Sequence, residues 1–519
     1  MRIKAGAGRS GGIAATAAAL ALSFLPAPAP AQDAPLSAID WLSQSVATPP
    51  PPPAPPVAKE GVIPEDVAVS TLGATTIDSV GLLPPAVTGL PMTLWGTGRT
   101  ADIVTRIAGE GTDSLPALRG LMMTILLAEA RAPADAGKGG ELLRARIDRL
   151  LDLGALDQAR ALLDVADASK DPELFRRSFD VDLLTGSEDE GCAQMVRAPG
   201  LAPTFPARIF CLARSGDWNA AALTLRTAQS LGFVTEEEDA LLSRFLDPDL
   251  YEGEPPLPAP ERTTPLTWRM FEAIGEPLPT ATLPLAFAHA ELRPSAGWKS
   301  QIEAAERLTR AGAVTPNQLL GLYTERKPAA SGGVWDRVAA FQRFEAAFRS
   351  GDSDAIARIV PEIWQAMSEA ELEVAFAELY GEELHRLNLS GEAGQIAFVA
   401  GLLSPSYERV AATRTPADAR EGFLIGLAKG NVTGLSATDS MGRVIAPAFK
   451  GAAPSDELRQ MLDEGRMGEA ILSAIEKIER GVQGEVKDVT DGLALFRAVG
   501  LEGTARRTAL ELMLLERRG

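Results

Sequence analysis

Two cysteines and two histidines are all that a chain of 519 residues offers of the side chains most used as nucleophiles, metal ligands and proton relays. His289 sits in an Ala- and Phe-rich run and reads as a core residue. His385 ends the sequence Glu382-Glu383-Leu384-His385 on a helical stretch, but a zinc-protease helix needs a second His one turn away, and none is there. With so little imidazole, Ser-His-Asp catalysis and His-rich metal centres have almost no raw material. The acidic run Glu236-Glu237-Glu238-Asp239 follows Thr235, and acidic side chains favour the first turn of a helix, so it reads as a solvated helix start rather than a cation site. Ser331-Gly332-Gly333 ahead of Trp335 has the makings of an anion cradle. Its plainer reading is a flexible loop leading into a helix that buries Trp335. One enzymatic class keeps its raw material, because a single helix-borne Glu can serve as general acid in cell-wall carbohydrate cleavage. Against it, the chain has no Glu-Ser dipeptide of the kind that marks such centres, and four Tyr make a poor sugar platform. The sequence therefore assigns no catalytic, cofactor-binding or metal-ligating residue.

The cysteines have a structural use. Cys192 and Cys211 fall at mirror-image positions about residue 201, inside a turn marked by Ala198-Pro199-Gly200 and followed by Pro203 and Pro206. If the flanking stretches are antiparallel helices, the two side chains come within bonding distance, so the spacing predicts a disulfide stapling one helical hairpin. A redox pair would want Cys-x-x-Cys. The N-terminus fits an oxidising compartment. Arg2, Lys4 and Arg9 precede an apolar stretch over 12–25, and Ala29-Pro30-Ala31 forms a small-x-small cleavage site before Gln32. This predicts a signal peptide over 1–31, cleaved after Ala31, and a Gram-negative periplasmic location. No Cys follows to take a lipid, and the n-region lacks paired Arg, which points to the general secretory route. Cleavage leaves 47 basic against 69 acidic residues, and no later apolar run is long enough to cross a membrane.

The elements that position these residues read as helices. Leu142, Leu143, Ile147, Leu150 and Leu151 form a single apolar face at 3.6-residue periodicity. Helix starts are marked by Thr315-Pro316-Asn317-Gln318, by Thr415-Pro416-Ala417-Asp418, by Ser368 with Glu371, and by Asp171 before Pro172. Three turns share a spacing: Gly154 with Ala159, Gly216 with Ala221, and Gly465 with Ala470. Each puts Gly at the end of one helix and Ala five positions on, where a small side chain lets the next helix approach. Gly351 with Ala355 is a near match. This resembles the inter-helix turn of tetratricopeptide-type repeats, over these short turns only. The intervals of 62, 135 and 114 residues are not multiples of 34. The resemblance therefore implies an all-α, irregular α-solenoid of helical hairpins rather than a regular array.

Ahead of the helices lies an extended Pro-rich arm. Residues 49–56 are Pro except Ala54, and 15 of the 38 Pro fall in the first 100 residues, so 32–60 reads as a disordered tether. Residues 61–96 carry β-branched residues broken by Gly73, Gly81 and Pro84-Pro85, and read as an extended strap ending at Trp95; the alternative is a strand offered to a partner. Glu254, Pro255, Pro256, Pro258 and Pro260 make 251–265 a connector between an N-terminal helical domain (97–250) and a C-terminal one (266–519).

A formal charge of −19 argues against nucleic acid and against an anionic membrane face. What remains is binding. The expectation is a non-enzymatic periplasmic helical-repeat scaffold or adaptor that holds protein partners of an envelope assembly such as a motor, secretion or wall-synthesis machine. It needs no cofactor, nucleic acid or membrane span. The alternatives are a cell-wall lytic enzyme and a periplasmic chaperone.

Overall fold

The computed structural model describes residues 76–109, 111 and 114–515. The predicted signal peptide, the tether and the strap up to residue 75 lie outside the described residues. The chain divides into Met1–Pro55 and Pro56–Gly519, and all described residues belong to the second unit. Among them are helices and turns but no strand, apart from one isolated bridge between Leu83 and Ala128.

The helices follow one another through short turns. The series opens with α1 (Thr100–Gly109), α2 (Pro116–Leu127), α3 (Glu141–Asp152), α4 (Leu156–Val165) and α5 (Pro172–Thr185). Next come α6 (Glu188–Arg197), α7 (Phe205–Arg214), α8 (Trp218–Leu231) and α9 (Glu236–Leu246). After the Pro-rich stretch lie α10 (Pro265–Ala273), a 3-10 segment (Leu285–Leu292), α11 (Trp298–Arg310), α12 (Pro316–Glu325), α13 (Val334–Ser350), α14 (Ser353–Glu369), α15 (Glu373–Arg386) and α16 (Gly391–Leu403). The last are α17 (Tyr407–Thr413), α18 (Ala419–Ala428), α19 (Ser440–Ile445), α20 (Asp456–Asp463), α21 (Met467–Val482), α22 (Lys487–Ala498) and α23 (Glu502–Leu514).

Most neighbours in sequence are neighbours in space, but the packing does not stop there. Helix α1 packs on α21, and α2 packs on α23. Leu118 and Ile147 share one apolar cluster with Ile471, Leu495 and Leu510. An open repeat array keeps its first and last units apart; here α1 and α2 build a common core with α21, α22 and α23. The core also does not part at the connector, because Met270 and Phe271 of α10 fill the same cluster as Phe175 and Phe210. A third cluster, over α11–α16, is rich in rings: Phe344 and Tyr380 meet edge to face at 4.9 Å.

The three sequence-marked turns share one backbone frame. Gly154, Gly216 and Gly465 take φ of +70°, +86° and +74°, a region glycine enters without a Cβ penalty. Each glycine N–H donates to the carbonyl three residues back, and the following N–H (Ala155, Asp217, Arg466) donates to the carbonyl five back. This is the double bond of a Schellman stop. The residue after the glycine then caps the next helix, its carbonyl accepting from Ala159, Ala221 or Ala470, all fully buried. A fourth turn, Gly500 with Ala505, repeats the frame. At Gly351 the cap is Asp352, whose side chain accepts from Asp354 and Ala355, and buried Ile356 takes the fifth position.

Helix starts come out unevenly. Asp171 caps α5, and Thr315 with Gln318 makes a capping box on α12. Two others need correction. Ser368 lies inside α14, because the apolar series Ile356, Val360, Ile363 and Met367 carries the helix past it, and Glu371 stands in the following turn at φ +55°. The helix expected from Thr415 starts three residues later, capped by Asp418, whose carboxylate accepts from Glu421 N–H. Residues 414 and 417 instead bond the Glu421 side chain, which holds the approach extended.

The described part of the strap packs along the body. Leu82 and Leu83 both donate to the Leu127 carbonyl, and Glu129 N–H returns to Leu83. Beneath it lies Arg146, 1% exposed, whose guanidinium donates to the carbonyls of Leu126, Val80 and Ala128 at 2.8, 2.7 and 2.9 Å. Burial lowers its pKa to about 10, against the opposing pull of Asp78. At the strap's end Trp95 is 2% exposed, its ring seated on Gly468, whose N–H donates to the Leu94 carbonyl at 2.7 Å.

Candidate functional site

The contact between α2 and α23 leaves a groove of about 720 Å³ bordered by α2, α15 and α23. Its position follows from local rules. Pro116 opens α2, and Ala117 N–H, one of the unpaired donors of a helix start, donates to Glu511 of α23 at 2.9 Å. That bond fixes the two helices side by side. Thr504, Arg507 and Glu511 recur at helical spacing along the α23 face that lines the groove. Across it, α15 presents Val374 and Glu378, one turn apart. Gly120 leaves the α2 wall without a side chain, and a Cβ there would meet nothing within 4 Å. A second hollow of about 350 Å³ continues from the first, sharing Pro116, Gly120, Val374 and Glu378 and adding Arg119 and Arg310.

The charges along this groove are largely matched to each other. Glu502 accepts from Arg506 at 3.0 Å and from Arg497 at 2.9 Å, and Arg506 reaches Glu408 at 2.9 Å, which ties α23 to α17. Glu378 differs. Its partial enclosure raises its pKa above the ordinary carboxylate range, while the nearby Arg507 guanidinium pulls it back down. Glu378 is exposed to solvent and shares the groove with Arg507, Leu121 and Val374.

None of the residues singled out by sequence lines this groove. Cys192 and Cys211 sit on α6 and α7 with their sulfurs at disulfide distance and Cα atoms 4.9 Å apart. His289 is buried and donates from Nε2 to the Gly154 carbonyl at 2.6 Å, so the Gly154 turn is tied to the 3-10 segment. Burial lowers its pKa, leaving a neutral donor. His385 borders a separate hollow, where its Nε2 lies 2.9 Å from Thr413 Oγ1, and burial and Arg414 both lower its pKa. Glu382 and Glu383 are taken up by Arg386 and Arg409 in exposed ion pairs. Glu236–Asp239 occupy the first turn of α9, where Thr235 and Glu238 close a capping box. At Ser331–Gly333, Gly332 N–H is taken by Asp336.

Among the described residues no group of three or more His, Cys, Asp and Glu is placed to hold a metal ion, and no helix is long and apolar enough to cross a membrane. Glu378 had no sequence signal; it is one acid among many on α14 and α15, and only the meeting of residues near 120, 378 and 507 makes it a groove residue. Comparison with protein-family models, with curated proteins and with solved structures finds no match.

Proposed function

We propose that this chain is an exported, non-enzymatic helical scaffold, its tetratricopeptide-like hairpins closed around a shared core, that binds protein partners of a cell-envelope assembly in the periplasm. The observation that supports this most is the groove. It is open to solvent and bordered by α2, α15 and α23, most of its charges are paired within the protein, and its α2 wall is cleared by a glycine. Such a channel suits an extended or helical segment of another chain. The N-terminal export pattern and the cysteine pair at disulfide distance support the compartment. The test is pull-down of the tagged mature chain from mildly cross-linked cells, with mass spectrometry, against Gly120→Trp, which fills the groove from a position with free space. The expected result is one stoichiometric envelope partner, recovered about tenfold less by the variant. A chain that co-isolates with no envelope protein overturns the reading.

One observation favours a second reading. Glu378 is a helix-borne carboxyl lining a groove, and desolvation moves its pKa upward, the direction a general acid for glycosidic cleavage needs. Incubation with purified wall sacculi decides it: soluble muropeptides released by the wild type and lost in Glu378→Gln would establish a lytic enzyme.

A further inference from the structure

A second surface, away from the groove, carries its own pattern. Helix α8 buries only Ala221, Leu225 and Ala228 of its fourteen residues. Of the ten large apolar side chains most exposed among the described residues, five lie between positions 218 and 250. These are Trp218, Leu223, Leu231, Phe233 and Leu250, each at least 51% exposed. Scattered exposed apolar residues are ordinary; five within one hairpin depart from an even scatter.

The hairpin sorts these side chains into two ends. Trp218, at the start of α8, meets Phe245, near the end of α9, with ring centroids 6.3 Å apart, so the two helices run antiparallel. Leu250 follows α9 and belongs to the same end. Leu231 and Phe233 mark the other, where Phe233 stacks on Phe205 at 5.0 Å. Fourteen helical residues place the two ends about 20 Å apart, with Leu223 between them facing out.

The charge on this hairpin is one-sided. Residues 215–254 hold nine acidic side chains and two basic ones, Arg226 and Arg244. Arg244 is already engaged by Glu276 at 3.0 Å and Glu254 at 3.4 Å. Each apolar end has its own exposed acids: Glu236 and Glu237 follow Phe233, while Asp217, Asp247 and Asp249 flank Trp218 and Leu250. The layer beneath is held by the Cys192–Cys211 pair joining α6 to α7. Such a support limits the ordering cost of association.

We infer that the α8–α9 face docks a cationic amphipathic helix of a partner protein. Its apolar residues would sit over the Trp218 and Phe233 ends, with Lys or Arg facing the acids around each end and none at its middle, where α8 carries Arg226. A helix of about fourteen residues spans the two ends. Acids around each apolar end reward a basic peptide and penalise an acidic one or an anionic membrane. This inference deepens the scaffold reading by giving the chemistry of a partner, and it uses a surface the groove variant leaves untouched.

The test uses the full mature chain and a synthetic fourteen-residue Lys/Leu amphipathic peptide, followed by fluorescence anisotropy at low and moderate salt. Binding should weaken at least about tenfold in Glu236→Lys with Glu237→Lys, and equally in Leu223→Ser with Leu250→Ser, whose side chains are mostly in solvent. The equal charge change at Asp354→Lys with Glu392→Lys, and the groove variant Gly120→Trp, should leave affinity within about twofold. If the remote charge reversal weakens binding as much as the local one, the attraction is only to net charge and the inference fails. It also fails if an acidic peptide of the same apolar pattern binds as well, or if sedimentation shows a dimer that the Leu223/Leu250 variant abolishes, since the occupant is then a second copy. Loss of peptide binding with retained envelope partners in the pull-down would sink this surface and leave the groove reading standing.

Discussion

Trp95 and Trp218 stand beside turns of the same construction and meet opposite fates. Trp95 lies against the Gly465 turn, is 2% exposed, and packs so closely on Gly468 that a Cβ there would come within 2.6 Å of the ring. Trp218 follows the Gly216 turn by two residues and is 51% exposed, and a Cβ on Gly216 would meet nothing within 4 Å. The backbone frame is identical in the two places, down to the paired Schellman bonds. A turn of this kind fixes how one helix follows another. Whether it becomes core or surface depends on what a distant segment lays over it: the strap covers one turn, and nothing within the described residues covers the other.

The largest effect should come from removing what holds the strap in the covered region. Arg146→Met leaves the carbonyls of Val80, Leu126 and Ala128 without their donor and Asp78 buried without its counter-charge. A cost of about 4 kcal/mol is expected by urea denaturation, with fast hydrogen exchange at the Leu82, Leu83 and Glu129 amides. If unfolding free energy falls by less than about 1 kcal/mol, the strap is not what closes this region.

The uncovered region should respond to its staple instead. Cys192 and Cys211 are 19 residues apart, and opening a loop of that size costs about 3 kcal/mol on the chain-entropy account. Cys192→Ser with Cys211→Ser should lower stability by that amount and raise exchange in α6–α9 while the Leu82 and Leu83 amides stay protected. Equal loosening at both places would mean the two regions unfold as one unit and the contrast between them is only one of exposure.

A smaller, cleaner comparison sets two turns side by side. Gly216→Ala carries only the left-handed backbone penalty, about 1 kcal/mol. Gly154→Ala carries that penalty and also drives a Cβ to 2.9 Å from Leu308 and 3.0 Å from Leu285. The extra contact should add about 1–2 kcal/mol. Thermal melts of the two variants measure how much the covering of a turn contributes. Equal costs would show that the neighbouring leucines move aside freely.

These comparisons also show where the sequence speaks and where it falls silent. Glycine followed five residues later by alanine was legible because both residue types are forced: one by a positive φ, the other by a helix crossing that leaves no room. Thr-Pro and Asp-Pro starts at 315 and 171 were legible for the same reason, a local backbone demand met by a local side chain. Arg146 was not, because on an amphipathic helix it looks like any solvated arginine next to Arg144; its carbonyl partners come from Val80, Leu126 and Ala128, and no period encodes them. The groove escaped notice for a similar reason, since Gly120, Glu378 and Arg507 come from three helices far apart in sequence, α2, α15 and α23. The exposure of Trp218 is not written in the residues around it, whereas Trp95, expected to end the strap, is buried there.

Glu371 gives the smallest effect and a test of that lesson in reverse. It occupies the glycine position of a Schellman turn between α14 and α15, with φ +55° and Leu372 N–H donating to the Met367 carbonyl five residues back. Phe376 fills the place that alanine takes elsewhere. Here the frame forms without either residue that announces it. A side chain held in the left-handed region costs about 1–2 kcal/mol, of which glycine recovers most and returns part as unfolded-chain entropy. The balance favours Glu371→Gly by about 0.5 kcal/mol, a rise in melting temperature of a degree or two for a body of this size. A fall in melting temperature would mean that the Glu371 side chain, not the backbone frame, holds α14 and α15 at their angle, and that the turn is a tertiary contact rather than a member of the series.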